Sequence, residues 1–279
     1  MPRSDRIVII VSLVVLGLTL SLLVPLPVLE IKLPLGPELV LRVSGPVQLA
    51  IILFALICAD AQSGVRAHHW LDDPPLAYTI TFGPLPGLLV IMSLVLVPCT
   101  HGLVHGLAWW GYRIAFIGLS GATLAAVITL QYHSLDATGG RRARARVWLS
   151  IASYTIALIL YIALYGLRWR SLFSATGVLA VSGLLSLELL REESQHIGRT
   201  WLYAGIIALA MGELTWALNY CSLDAKVGGY LLLLVFYLLT GLSQQYLWGR
   251  LKRRVAIEYS LVGAAGLAAL LALAQYAGV

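Results

Sequence analysis

Long apolar runs recur along this entire sequence, and they restrict its fold more than any other feature. A run of about 18 residues or more is long enough for a helix to cross the hydrocarbon core of a membrane, which is about 30 Å thick. Charged residues make up 11% of the chain, whereas they make up about a quarter of a soluble domain. The fold class that we predict is therefore all-α, a polytopic bundle of transmembrane helices.

Short polar segments divide the apolar sequence into about nine predicted spans. The predicted spans are 7–24, 46–62, 85–109, 112–133, 147–167, 171–190, 200–222, 228–248 and 255–277. The third and fourth spans meet near Gly111 and Arg113 with almost no connection, and merging them would leave eight. Because the connections leave no room for a separate soluble domain, residues 1–279 are expected to form a single integral membrane domain.

The distribution of basic residues predicts how the chain is oriented in the membrane. With the N-terminus in the cytoplasm, 13 of the 19 Lys and Arg residues fall on that side, including the clusters 141–146 and 250–254. Cytoplasmic loops carry such an excess. We therefore expect a multi-pass protein of the cell (inner or plasma) membrane with its C-terminus outside. The basic clusters are expected to contact anionic lipid headgroups, and they form no face that would bind nucleic acid.

The segment between the first two predicted spans has the pattern of a small β-hairpin. Apolar and polar residues alternate in 29–33, alternate again less strictly in 39–43, and are separated by a Pro-Leu-Gly-Pro sequence. Period-two alternation on both sides of a turn predicts two paired strands. We expect this hairpin on the extracytoplasmic side, either as an interfacial anchor or as a cap over an outward-facing cavity.

Several polar and aromatic residues lie inside predicted spans, where polar groups are costly to place. When depth is taken as about 1.5 Å per residue, one group of them falls in the outer half of the bundle. This candidate pocket consists of His101, His105, Tyr161, Tyr165, Glu213, Trp216 and Asn219. Polar side chains at such depths usually face the interior of a bundle, so we expect the group to share a cavity.

His101 and His105 are one helical turn apart and should share a helix face. Three interpretations remain open. Gly102 and Gly106 form a GxxxG pattern that allows a close helix contact, in which the histidines would be hydrogen-bonding partners. The two imidazoles could instead ligate a metal with a further ligand such as Glu213. Finally, a neutral histidine beside a carboxyl group could act as an acid or base.

Glu213 is the only ionisable residue near the middle of any predicted span. Its carboxyl group should either stay protonated or pair with a base such as His101, and a group of this kind within a membrane is a functional-site hypothesis by default. The alternative interpretation is a protonated side chain that only bonds to a neighbouring backbone group.

Two classes of function follow from these observations. The favoured class is a membrane binding or transport protein, or a subunit of a membrane complex, with membrane-protein partners and a polar pocket in the outer half. The alternative is a membrane-embedded enzyme that uses His101, His105 and Glu213 on a lipid or isoprenoid substrate. The favoured class rests on the lack of a P-loop, a nucleophile elbow or an acidic diphosphate-binding motif in the sequence. No cofactor can be named from the sequence.

Overall fold

The fold is taken from a computed structural model, and it is given for the part of the chain that this structure describes. The described residues are 9, 11–17, 19, 29–32, 40–43, 85–92, 107–136, 140–166, 171–190, 197–221, 223–249 and 251–276.

Most of the described residues belong to helices. The strands are β1 (Leu29–Lys32) and β2 (Val40–Val43), and the helices are α1 (Leu107–Asp136), α2 (Gly140–Gly166), α3 (Ser171–Leu190), α4 (Ile197–Leu218), α5 (Ala225–Leu247) and α6 (Arg253–Tyr276). Two shorter helical stretches cover 11–17 and 85–92. The strands pair antiparallel, with Leu29 opposite Val43 and Lys32 opposite Val40. The position of this pair relative to a membrane stays a prediction.

Four described helices are long and apolar enough to cross a membrane. These stretches are Ala143–Gly166, Gly198–Leu218, Ala225–Leu247 and Arg253–Ala272, and shorter apolar helices cover Ile117–Gln131 and Ser174–Leu190. Helices suit such sequences because, in hydrocarbon, each backbone polar group must be paired within its own segment. The prediction of a helical chain is confirmed in a coarse form, as a chain with helices long and apolar enough to span a membrane. The described part of the chain does not support the count of nine spans.

The predicted break between the third and fourth spans is wrong. α1 continues from Leu107 to Asp136 and passes through Gly111 and Arg113 without interruption. A single glycine or arginine does not end a helix, since glycine costs only about 1 kcal/mol relative to alanine and arginine is a good helix former. α1 contains no proline, the residue that does interrupt a helix.

The start of α2 also differs from the prediction. The helix begins at Gly140 rather than near residue 147, so the arginine cluster lies on its first turns and not in a loop. Hydropathy locates the apolar part of a helix, whereas the backbone hydrogen bonds extend into the polar residues that flank it. α3 has the predicted bounds of 171–190, and α4, α5 and α6 begin two or three residues before the predicted positions.

The described contacts group into two compact units, Met1–Leu149 and Ser150–Val279, with the boundary inside α2. In the first unit, α1 contacts the 11–17 stretch where Gly121 faces Val15. In the second unit, α3 packs along α4, and α5 contacts α3, α4 and α6. The α3–α4 contact is close because Gly183 faces Ala208 and Gly212 faces Leu179. The single membrane domain over 1–279 stays a prediction.

Candidate functional site

Hydrogen bonds between helices define the two ends of the second unit. At one end, the Tyr165 hydroxyl of α2 donates to the Leu218 carbonyl of α4, at 3.0 Å. At the other end, the Gln244 side chain of α5 donates to the Leu189 carbonyl of α3, at 3.1 Å. We call these the outer and the inner end, after the predicted orientation. The contacts agree with helices that alternate in direction.

Exposed aromatic side chains lie towards both ends of the second unit. Those towards the inner end are Trp201, Tyr246 and Trp248, and those towards the outer end are Trp216, Tyr220 and Tyr230. Along α4 and the turn that follows it, Trp201 and Tyr220 are 19 residues apart, which corresponds to about 28 Å at helical rise. Trp and Tyr are enriched at both surfaces of a membrane, whose hydrocarbon core is about 30 Å thick. The aromatic positions therefore fit a membrane-crossing α4.

Tyr161 lies in the buried core of the second unit. Its hydroxyl group is 2.7 Å from the Ser182 hydroxyl of α3, and its ring meets the Phe236 ring of α5 edge-on. Both Tyr161 and Ser182 are completely buried. This polar pair therefore joins two helices inside an apolar environment, where an unpaired hydroxyl would be costly.

Tyr165 and Asn219 support the outer end of α4. The last carbonyl groups of a helix have no partner within the helix. The Tyr165 hydroxyl satisfies the Leu218 carbonyl and makes a longer contact of 3.4 Å with the Cys221 carbonyl. The Asn219 amide donates to the Ser174 hydroxyl of α3, at 2.7 Å. The two residues thus act at the same helix end, and both make contacts that hold helices together.

Unlike the buried side chains of Tyr161 and Tyr165, the side chain of Glu213 is exposed. Met211 and Thr215 are buried, and they lie about 160° around the helix from Glu213. The midpoint between Trp201 and Tyr220 falls about 4 Å inward of Glu213 along the helix axis. Glu213 makes no hydrogen bond or ion pair with another residue in the described ranges. Within those ranges, it does not share a cavity with the buried Tyr161.

Trp216 is exposed one turn from Glu213 on the same side of α4. Its ring meets the Tyr220 ring edge-on, with 6.2 Å between the centroids. This side of α4 therefore carries a carboxyl group at a depth where a span would meet hydrocarbon, followed towards the outer end by two large aromatic side chains. A charged carboxylate at the centre of a span costs about 2.5–3.5 kcal/mol on insertion scales. Contact with protein or water would remove that cost.

The histidines of the predicted pocket, His101 and His105, lie outside the described residues. No group of three or more metal-ligating side chains occurs among the residues that the structure does describe. Convergence of the imidazoles with Glu213, as a hydrogen-bonding cluster, a metal site or an acid–base pair, therefore stays a prediction.

A comparison with protein families gives a match over most of the chain. The model of the family described as "Protein of unknown function (DUF5656)" matches residues 24–273. The chain belongs to this family. No curated protein and no solved structure matches it. The part that matches DUF5656 includes both strands, α1 to α5 and nearly all of α6, and with them Tyr161, Tyr165 and Glu213.

The hydroxyl groups that pair with Tyr154, Tyr161 and Asn219 were not predicted from the sequence of this DUF5656 chain. Ser174 and Ser182 both lie on the buried side of α3, and Thr240 of α5 is 3.0 Å from the Tyr154 hydroxyl of α2. Serine and threonine are small, neutral and compatible with membrane helices, so they give little hydropathy signal. The available signal was the spacing of Ser174, Ser182 and Ser186, which places them on neighbouring positions of one helix face.

Proposed function

We propose that this DUF5656 protein is a multi-pass cell-membrane protein that binds or transports a ligand, or is a subunit of a larger membrane complex, through a polar site in its outer half. The exposure of Glu213 at membrane depth is the observation that supports this proposal most directly. An apolar span gains nothing from an outward carboxyl group unless that group meets a ligand, water or another protein. His101 and His105 are the proposed further members of the site.

The second candidate is a membrane-embedded enzyme that acts on a lipid or isoprenoid substrate. It is supported by the open position of Glu213, because a lipid-like molecule would reach an exposed side of α4 directly from the bilayer. In that case Glu213 and the histidines would exchange protons with the substrate or hold a metal. Neutral hydroxyl pairs such as Tyr161 and Ser182 would only hold the helices together and would take no part in the reaction.

Native mass spectrometry of the full chain, released from its own membranes in a mild detergent, tests the proposed site. We expect the wild-type protein to retain a small molecule or a second kind of polypeptide. Glu213→Leu should lose it, because leucine offers no polar contact. Leu261→Ala on α6, an exposed position in the same unit, is the control and should retain it. A retained molecule that changes chemically during incubation would favour the enzyme, and one that is released unchanged would favour binding or transport.

The proposed site would be excluded by a wild-type protein that carries no retained species and behaves identically to Glu213→Leu. Metal analysis of the same samples shows whether the histidines bind a metal or instead exchange protons with a substrate. A stoichiometric metal that disappears in His101→Ala with His105→Ala would support the metal site, whereas intact metal-free protein would exclude it.

A further inference from the structure

In the part of the chain that the structure describes, the hydroxyl group of Ser186 on α3 is completely buried and forms no hydrogen bond. One turn away on the same helix, the Ser182 hydroxyl does have a partner, the Tyr161 hydroxyl of α2. A buried donor without a partner is costly, and buried polar groups of this kind are commonly satisfied by an internal water molecule or a ligand.

The residue of α2 that lies level with Ser186 is small. Tyr161 and Ser182 are hydrogen-bonded across the antiparallel helices α2 and α3. One turn further towards the inner end of both helices, Ala157 is therefore level with Ser186. Ala157 is completely buried, so it faces the interior of the second unit. It leaves more room beside the hydroxyl group than a larger side chain would.

α4 also has a small residue at this level. Gly183 of α3 faces Ala208 of the antiparallel α4. One turn further towards the inner end, Ser186 is level with Ala204, which is buried. Around the axis of α3, Ser186 lies about 40° from Ser182, which bonds α2, and about 60° from Gly183, which faces α4. Its side chain therefore points into the interior between these helices.

α5 supplies a polar group at the same level. The Gln244 side chain of α5 donates to the Leu189 carbonyl of α3. α3 and α5 run in the same direction, because the helices of this unit alternate and α4 lies between them in the sequence. One turn outward from the Gln244 contact, Thr240 is level with Ser186. Thr240 is also completely buried.

The Thr240 hydroxyl can accept one more hydrogen bond. Its own proton is donated to the Phe236 and Tyr237 carbonyls, at 2.7 and 3.2 Å. The Tyr154 hydroxyl, 3.0 Å away, must therefore be the donor in the bond that joins it to Thr240. A hydroxyl oxygen has two acceptor positions, and Tyr154 occupies one of them. The other is available to a partner between α3 and α5.

The surroundings of Ser186 favour a small neutral molecule as its partner. Ala157, Ala204 and Thr240 carry no charge, and an ion buried beside them would be costly without a countercharge. Two of these three residues are alanines, which suit a molecule of a few atoms. Water fits both conditions, and it can accept from Ser186 while it donates to Thr240. Buried water molecules are typically held by two to four such bonds.

We propose that the second unit binds an internal water molecule between α3 and α5, which accepts a hydrogen bond from the Ser186 hydroxyl and donates one to the Thr240 hydroxyl. The water would join two helices that the Gln244 contact holds together one turn further inward. The site depends only on the packing of α2 to α5, so it is compatible with either candidate function.

The stability of Ser186→Ala tests the site, because the expected sign depends on the water. If the water is bound, the variant loses its bridge, and we expect the unfolding equilibrium constant of the full chain in mixed detergent micelles to rise about fivefold. If no water is bound, alanine removes an unpaired hydroxyl group from the core, and the constant should stay equal or fall. Ser260→Ala is the matched control. Ser260 is exposed on α6 and donates to the Ala256 carbonyl of its own helix, so this change should stay within about twofold.

Magnetisation transfer from water to alanine methyl groups provides an independent measurement. The full chain is prepared in micelles with ¹³C-labelled alanine methyl groups. We expect cross peaks at the water frequency for Ala157 and Ala204 in the wild type. Both should disappear in Ser186→Ala and remain in Ser260→Ala, because only the first variant removes the group that holds the water.

Either of two results would overturn the water site. The first is a wild-type protein in which neither Ala157 nor Ala204 receives magnetisation from water. The second is a Ser186→Ala variant that is at least as stable as the wild type, as expected if the Ser186 hydroxyl turned to a carbonyl of its own helix in the manner of Ser260. Neither result depends on Glu213 or on the orientation of the chain, so failure here leaves the proposed function untouched.

Discussion

Tyr161 and Tyr165 lie one turn apart on α2, and their hydroxyl groups have different partners. Tyr161 pairs with a serine in the core, and Tyr165 pairs with backbone carbonyls at a helix end. Both residues were predicted to be polar members of the outer half, but the sequence could not give their partners. A neutral hydroxyl group changes the hydropathy of a segment very little. The carbonyl groups that lack a partner within a helix can be identified only when the end of that helix is known.

Removal of the Tyr161 hydroxyl should destabilise the second unit, because Ser182 would lose its partner in a buried position. We expect Tyr161→Phe to lower the free energy of unfolding by about 0.5–2 kcal/mol. Ser182→Ala should have a similar effect, and the double variant should cost less than the two single changes together. Tyr230→Phe, at an exposed position, is the control. Thermal unfolding in detergent measures all four, and strictly additive effects would contradict the interaction.

The apolar pattern of the sequence predicts where a helix lies, but it does not predict which face of the helix is buried. The bounds 171–190 of α3 were predicted because polar residues flank an apolar run on both sides. The faces of the helices were not predicted, since a membrane helix is apolar all round and gives no strong amphipathic signal. Glu213 was expected to face inward, and among the described residues it does not. The buried side of α4 is instead determined by contacts between small residues, such as Gly183 of α3 with Ala208 of α4.

The contact between α2 and α5 depends on glycine. A side chain at Gly229 would lie 2.9 Å from the Cα atom of Ile162, which belongs to the backbone of α2 and cannot move alone. We therefore expect Gly229→Ala to separate the helices and to cost about 1–3 kcal/mol of unfolding free energy. Gly198→Ala, where a side chain meets open space, should stay within about 0.5 kcal/mol of the wild type. Equal melting temperatures for the two variants would contradict this view of the contact.

At the scale of the whole chain, four described helices can cross a membrane, and the family match extends over residues 24–273. The number of spans and their orientation were inferred from apolar runs and basic residues, and they remain predictions. The limit is physical. Hydropathy measures the cost of transferring each segment into lipid, but the pairing of segments depends on side-chain shape and on hydrogen bonds between helices.

The orientation can be tested with a native cysteine. Cys221 is exposed at the outer end. With Cys58 and Cys99 replaced by serine, we expect Cys221 to react with a membrane-impermeant thiol reagent in intact cells. Lys252→Cys, combined with Cys221→Ser, probes the inner end, where Lys252 is exposed, and it should react only after the cells are permeabilised. The reverse pattern would place the C-terminus in the cytoplasm.

The last described helix has a consequence for biosynthesis. α6 contacts α5 through Tyr259 against Gly241 and through Gly263 and Gly266 against leucines, and its most apolar stretch has no buried residues. α5 ends at Leu247 and is capped by Trp248, and Gly249, with φ of 64°, allows the chain to reverse before α6 begins. Since α6 leaves the ribosome after α5, we expect the preceding helices to assemble while it is still in the translocon. Its arrival would then add a helix to the second unit without rearranging it.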